Sequence, residues 1–150
     1  MNSIPPIYFG TVLLELNRWN KDDNDLTFKT SEWAQRLADD GFDGLELWQY
    51  PATRVDKEEM EFLRASPCPV KVFNAYCGCD PEDAGEREKI AELAVDLGAE
   101  GMKYNSGKDF DRHDIYVESL KTWRAQLPAD FRLMCECHRG STMADTELAD

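Results

Sequence analysis

Positive charge is what this chain has least of for its size. Lys and Arg number 17 against 30 Asp and Glu, for a formal net charge of −13. An acidic surface of this kind repels phosphate backbones and anionic head groups, which sets nucleic acid and membranes aside as partners. No apolar run approaches the roughly 20 residues of a membrane-spanning helix. The opening MNSIPPIYFG also lacks the pattern of a secretory leader, so the expected location is cytoplasmic. Cysteines number five, an odd count that fits poorly with a secreted disulfide framework. The C-x2-C spacing of zinc ribbons is missing too: Cys77-Gly-Cys79 and Cys135-Glu-Cys137-His138 offer only C-x-C pairs. These four thiols leave a thiolate metal-binding module as an alternative, although small apolar residues on the packed side of a strand are the simpler reading. No Gly-rich phosphate loop follows the first strand-like segment, which weighs against a nucleotide-binding sheet. The acidic run Asp22-Asp23-Asn24-Asp25 lacks the spaced Gly and terminal Glu of a calcium loop and reads as solvated.

What is present is the alternation of two periods. The 150 residues, 42% hydrophobic, have the size of one domain spanning 1–150. Strand-like segments begin near Ile7 (IYFGTVLL), Gly44 (GLELW), Val70 (VKVFNAY), Gly101 (GMKYN) and Arg132 (RLMCEC). A helix is expected in each gap. The first starts at Thr30-Ser31, with Trp33, Ala34, Leu37 and Ala38 at helical spacing. The second opens on an Asp56/Glu59 capping box with Val55 and Met60 as its staple. The third is capped by Asp80 with Pro81 next, carries Ile90, Leu93, Ala94 and Leu97 on one face, and stops at Gly98. The fourth follows Asp114, with Leu120, Trp123 and Leu127 as its stripe.

Alternation of this kind implies parallel strands joined by crossover helices. From Gly44 the strand starts fall 26, 31 and 31 residues apart, and a (β/α)8 barrel averages about 31 per unit. The turn Asp40-Gly-Phe-Asp-Gly-Leu-Glu-Leu47 is echoed 57 residues on by Leu97-Gly-Ala-Glu-Gly-Met-Lys-Tyr104, as a repeat of two units would give. A doubly wound sheet is the competing architecture, but its strands are covered on both faces and read as unbroken apolar runs. Here Glu46, Lys71, Lys103 and Glu136 sit in or beside the strands. A barrel has room for them, and the expected fold is a (β/α)8 TIM barrel cut to about its first five strands.

Residues two apart on a strand share a face. That rule groups Glu46 with Trp48, Lys103 with Asn105, and Glu136 with His138 into one polar ring at a barrel mouth. A glutamate there can bind a divalent ion or move a proton. His138 would hold a substrate hydroxyl or orient the carboxylate, Trp48 would give an apolar wall, and Lys103 would meet a phosphate or neutralise a carboxylate. The plainer reading has Glu46 and Lys103 as a structural ion pair and Trp48 as core.

Gly41-Phe-Asp-Gly-Leu-Glu-Leu-Trp48 and Leu133-Met-Cys-Glu-Cys-His-Arg-Gly140 carry a resemblance, with Phe9-Gly-Thr11 in order ahead of them and Leu97-Gly-Ala-Glu-Gly101 between them. The chain resembles the sugar phosphate isomerase/epimerase superfamily, the xylose isomerase-like TIM barrels. The resemblance implies a divalent metal (Mn, Mg, Co or Zn) held by four side chains, the first mapping onto Glu136. It also implies that this glutamate moves a proton next to the carbonyl of a small sugar or polyol. The numbering ends at Asp150, in what would be the fifth helix, so strands 6 to 8 and their Asp, His and Glu ligands are not in this sequence. The full barrel is expected to be an isomerase or epimerase. The 150 residues alone are expected to be inactive, a non-catalytic half-barrel, or completed by association, as a homo-oligomer for example. An AP-endonuclease-like barrel of the same superfamily fits the acidic charge least.

Overall fold

The structure is a computed structural model that describes residues 4–18 and 26–144. The acidic run at Asp22–Asp25 and the helix expected toward Asp150 lie outside the described residues. Strands β1 (Tyr8–Gly10), β2 (Gly44–Trp48), β3 (Val70–Asn74), β4 (Gly101–Asn105) and β5 (Arg132–Glu136) form one sheet in the order β1-β2-β3-β4-β5. Every neighbouring pair is parallel. Helices α1 (Ser31–Asp39), α2 (Gln49–Thr53), α3 (Lys57–Arg64), α4 (Ala84–Asp96) and α5 (His113–Ala125) fill the gaps.

All the covering helices lie on one side of the sheet. Leu47, Phe73 and Met102 point from β2, β3 and β4 into a core shared with Leu63 of α3, Ile90 and Ala94 of α4, and Trp123 of α5. Leu45, on the same side of β2 as Leu47, packs with Ala34 and Leu37 of α1 and with Cys68. Strands in sequential order with helices on a single face fit a section of barrel wall better than a doubly wound sheet, which has helices on both faces. Among the described residues the wall is a five-stranded open section. It curls far enough that Pro6 and Tyr8 at β1 line one groove with Phe131 and Arg132 at β5.

Four local features differ from the sequence expectation. The first strand is three residues long, and Thr11–Leu14 forms a 3-10 turn instead of continuing it. The cause is Thr11, fully buried, whose hydroxyl accepts the Trp48 N–H at 2.9 Å and donates to the Glu46 carbonyl at 3.4 Å. A side chain thus takes over the bonding that a longer strand would provide, and Leu13 and Leu16 are left exposed. The capping box is half present. Asp56 accepts the Glu59 N–H at 2.9 Å, but the buried Glu59 carboxylate turns to Ser31, accepting its N–H and its hydroxyl. Thr30 caps α1 by position only, with no side-chain bond. Finally, Pro81 opens a 3-10 turn, Pro81–Asp83, and α4 begins only at Ala84.

The echoed turns have a common backbone cause. Gly41 and Gly98 both follow a helix with positive φ, 90° and 76°, the left-handed conformation that ends a helix and that L side chains resist.

Ahead of α1 the chain is cinched by a buried carboxylate. Glu15 accepts from the N–H groups of Asn17 (2.8 Å) and Thr27 (3.0 Å) and from the Thr27 hydroxyl (3.0 Å). Burial alone would raise this carboxyl, but these donors outweigh it and hold the group below its ordinary value. A depressed carboxyl stabilises the fold above its unfolded pKa of about 4.3, and that contribution is lost as the pH falls through the lower folded value. Glu15→Ala is therefore expected to cost about 2 kcal/mol at pH 7. The gap to the unsubstituted chain should close below roughly pH 4, as read by urea melts across that range. A gap independent of pH would show that the carboxylate's charge is not the cause.

Candidate active site

The face opposite the helices is polar where barrels keep their chemistry, at the carboxyl ends of the strands. The register places Trp48 beside Asn74, Asn74 beside Lys103, and Asn105 beside Glu136. Lys103 Nζ lies 2.6 Å from Glu46 Oε1 and 3.8 Å from Glu136 Oε2, so one ammonium on β4 sits between carboxylates from β2 and β5. Two amides complete the row. Asn74 Nδ2 donates to Glu46 Oε1 at 3.1 Å, and Asn105 Nδ2 donates to Glu136 Oε2 at 3.4 Å. The charged side chains are 26–37% exposed, so the row is reachable from solvent but not fully screened by it.

An aromatic cluster stands beside the row. Trp48 meets Tyr50 and Tyr76 edge-on, at centroid separations of 4.6 and 6.0 Å, and the Arg54 guanidinium lies 4.0 Å over the Tyr50 ring. Trp48 itself is buried (5% exposed), so its ring is an inner layer and the outer wall is Tyr76, which is 42% exposed. Burial first, and the Glu136 carboxylate second, push the Tyr76 hydroxyl above its ordinary value, which ties this ring electrostatically to the row. Gln49 fixes its backbone: Gln49 Oε1 accepts the Tyr76 N–H at 2.7 Å while Nε2 donates to Glu86 at 3.1 Å.

Of the residues singled out from sequence, the structure brings Glu46, Lys103, Asn105 and Glu136 together and seats Trp48 behind them. It does not bring in His138. Strand β5 ends at Glu136, the His138 N–H folds back to the Glu136 carbonyl at 2.8 Å, and the exposed ring lies 3.1 Å from the Arg139 carbonyl. The two-residue parity rule fails there because the backbone is no longer extended. Asn74 and Tyr76 were missed, although the same parity counted along Val70-Lys-Val-Phe-Asn-Ala-Tyr76 places Asn74 at its strand's carboxyl end.

Three of the four paired cysteines share the helix-side core, but among the described residues they form no group placed to hold an ion. Cys77 and Cys79 are buried in the helix-side core, Cys135 packs against that core, and Cys137 is exposed. Burial pushes the Cys77 thiol up to about 12 and the Cys79 thiol up to about 11, so both stay protonated and inert. Brief iodoacetamide treatment of the native chain at pH 8 is expected to alkylate Cys137 faster than Cys77 or Cys79 by roughly a hundredfold. Peptide mass mapping reads this out, and equal rates at all three would contradict the burial.

A resident metal does not fit the described residues on their own. Among them no group of three or more His, Cys, Asp or Glu is placed to hold an ion. Next to Glu136 a lysine ammonium already supplies the positive charge. A divalent ion there would need ligands from outside the described residues.

The described residues form a mixed α/β section with a five-stranded parallel sheet in sequential order, helices on one face and a charged row at the strand ends. A similar fold occurs in a crystal structure of the probable 3-DHS dehydratase AsbF, involved in petrobactin synthesis, from Bacillus anthracis. The TM-score is 0.56 at 11% identity, over 87% of this chain and 62% of that one. The likeness is one of fold, and this chain spans about three fifths of the dehydratase's length. No family model matches the chain, and no curated protein matches its sequence. No helix among the described residues is long and apolar enough to cross a membrane.

Proposed function

We propose that this chain forms the substrate-binding and proton-transferring part of an isomerase- or epimerase-type barrel acting on a small polyhydroxylated carbonyl compound. The observation that carries the reading is the Glu46–Lys103–Glu136 row at the carboxyl ends of three strands. A carbonyl oxygen seated at Lys103 meets an ammonium that stabilises negative charge developing on it. Glu136, at the edge of the row, takes the proton from the adjacent carbon. The C–H bond breaks, a carboxyl O–H forms, and the electron pair passes to the carbonyl oxygen as an enolate. Return of the proton to the former carbonyl carbon, with the neighbouring hydroxyl's proton passing to the enolate oxygen, gives an isomer, and protonation of the original carbon by solvent on the opposite face gives an epimer. Loss of a β-hydroxyl as water from the same enolate gives dehydration, the reaction named for the protein of like fold.

The test is wash-in of solvent deuterium, followed by NMR on aldoses and ketoses with and without Mn2+. Glu136→Gln is expected to reduce exchange at the carbon beside the carbonyl at least about a hundredfold. Exchange that survives Glu136→Gln, or that is absent from the unsubstituted chain under both conditions, sinks the proposal. The second outcome leaves a binding module without a reaction centre.

A further inference from the structure

Glu136 stands between two thiols, Cys135 and Cys137, and the charged row makes no use of either. They differ in access: Cys135 packs half-buried against the helix-side core, and Cys137 is exposed just past the end of β5. The Cys135 Sγ donates to the Glu136 carbonyl at 3.7 Å, so the sulfur lies along the chain in the direction of Cys137. Burial first, and the Cys137 thiol to a smaller degree, push the Cys135 thiol above its ordinary value, which puts the two sulfurs within electrostatic reach of each other.

The backbone leaves room for a bond between them. Residues two apart on a strand are separated by roughly 6.6 Å, inside the Cα range of about 4.4–6.8 Å that a disulfide bridges. Bringing the Cβ atoms together requires the chain to turn, and a turn is already begun. The His138 N–H folds back to the Glu136 carbonyl at 2.8 Å, and Ser141 donates its N–H and hydroxyl to the His138 carbonyl at 3.0 and 2.8 Å. Cys137 lies outside the β4–β5 register, which ends at the Asn105–Glu136 pair, so the ladder does not hold it extended. The residue caught inside such a ring is Glu136. Its contacts are the longest in the row, 3.4 Å to Asn105 Nδ2 and 3.8 Å to Lys103 Nζ, against 3.1 and 2.6 Å for the corresponding contacts of Glu46. A turn of the backbone at Glu136 breaks these contacts and leaves the Glu46–Lys103 pair in place.

We propose that Cys135 and Cys137 are a redox modification site, at which hydrogen peroxide drives formation of a disulfide that spans Glu136 and withdraws it from the charged row. The exposed Cys137 sulfur attacks the peroxide: an S–O bond forms, the O–O bond breaks, and one water leaves. The Cys135 sulfur then attacks the sulfenic sulfur: the S–S bond forms, the S–O bond breaks, and hydroxide leaves with the Cys135 proton as a second water. The two thiols are oxidised together by two electrons, and the peroxide is reduced by the same two. A small dithiol reverses the bond by exchange, and a short strained ring of this kind opens readily. The disulfide goes beyond the proposed function; only its effect on proton transfer rests on that reading.

Mass mapping of the full 150-residue chain tests it. The native protein is treated with hydrogen peroxide, blocked with N-ethylmaleimide under denaturing conditions, and digested with trypsin. Cleavage after Arg132 and Arg139 releases residues 133–139, which hold both thiols and no other cysteine. The expected product is this peptide two hydrogens lighter and unlabelled, restored by dithiothreitol. The chain should stay monomeric on a non-reducing gel, with Cys77 and Cys79 still labelled. Oxygen added at Met134 raises the mass and survives dithiothreitol, so it is not mistaken for the bond. Cys137 oxidised beside a labelled Cys135, a disulfide joining two chains, or Cys135 paired with Cys79 would each overturn the proposal. Cys135→Ser should raise capture of the Cys137 sulfenic acid by dimedone about tenfold or more, and unchanged capture in a folded variant would also overturn it. The mass map is read on the unsubstituted chain, so it decides whatever the variant's fold. Solvent-deuterium exchange should fall about tenfold or more in the oxidised chain and recover with dithiothreitol; a disulfide that leaves exchange unchanged would overturn the withdrawal of Glu136. A reversible disulfide in a chain that shows no exchange in either state retains this site and discards the enzymatic reading. Glu136-dependent exchange without any disulfide does the reverse.

Discussion

Trp123→Ala is expected to destabilise the chain by about 3–5 kcal/mol, the range for deleting a large buried aromatic side chain. Trp123 is 1% exposed and meets Tyr104 edge-on at 6.0 Å, joining α5 to β4 in the core that also holds Leu127 and Phe131. A domain of this size has about 5–15 kcal/mol in total, so the variant should lose a large share of it. Trp123→Phe is the informative companion. The indole Nε1 is buried without a hydrogen-bond partner, so phenylalanine gives up volume but no bond. A loss of roughly 1–2 kcal/mol is expected for it. Urea unfolding of both variants checks the pair, and a cost under about 1 kcal/mol for Trp123→Ala would mean that α5 is not packed as described.

The second large effect is at Lys103. Lys103→Met keeps the bulk of the side chain and removes the ammonium, leaving the Glu46 and Glu136 carboxylates on one face of the sheet with only amides between them. Breaking a fully buried pair costs about 3–5 kcal/mol. With these side chains 26–37% exposed, solvent screening reduces that to roughly 1–2 kcal/mol. Proton exchange should fall at least a hundredfold, because the enolate loses its counter-charge. The decisive control is Lys103→Met with Glu46→Gln. Removing one of the two facing carboxylates should restore most of the lost stability but none of the exchange. If stability does not recover, the destabilisation comes from packing and the ionic account fails.

The charged row was legible in the sequence wherever backbone periodicity held. Glu46, Lys103, Asn105 and Glu136 were placed on a common face by counting in twos, and the strands they occupy do run extended over those residues. His138 was misplaced because the count was carried past the last extended residue. Thr11–Leu14 was misread for a related reason: an apolar, β-branched run looks like strand, and nothing local reveals that Thr11 will bond across to β2. Asn74 was legible by the same parity, but an amide in an apolar segment gives a weaker signal than a charge. The role of Glu59 was not legible at all. Its carboxylate bonds to Ser31 through a tertiary contact, although its sequence neighbours match a purely local motif. Helix α2 was also unmarked, since a five-residue helix containing Pro51 has too little length for a periodic pattern.

The strand order has a consequence for how the chain acquires its structure. Each strand bonds only to the strands adjacent in sequence, so no pairing in the sheet waits for a distant part of the polypeptide. Loop-closure entropy is therefore met in short instalments, and the sheet can grow by accretion as the chain leaves the ribosome. The charged row is assembled in that same order, Glu46 first, Lys103 next and Glu136 last. Lys103 thus gains its first carboxylate partner before β5 has been made, and nascent chains halted just beyond α5 should already protect the β2–β4 amides from exchange.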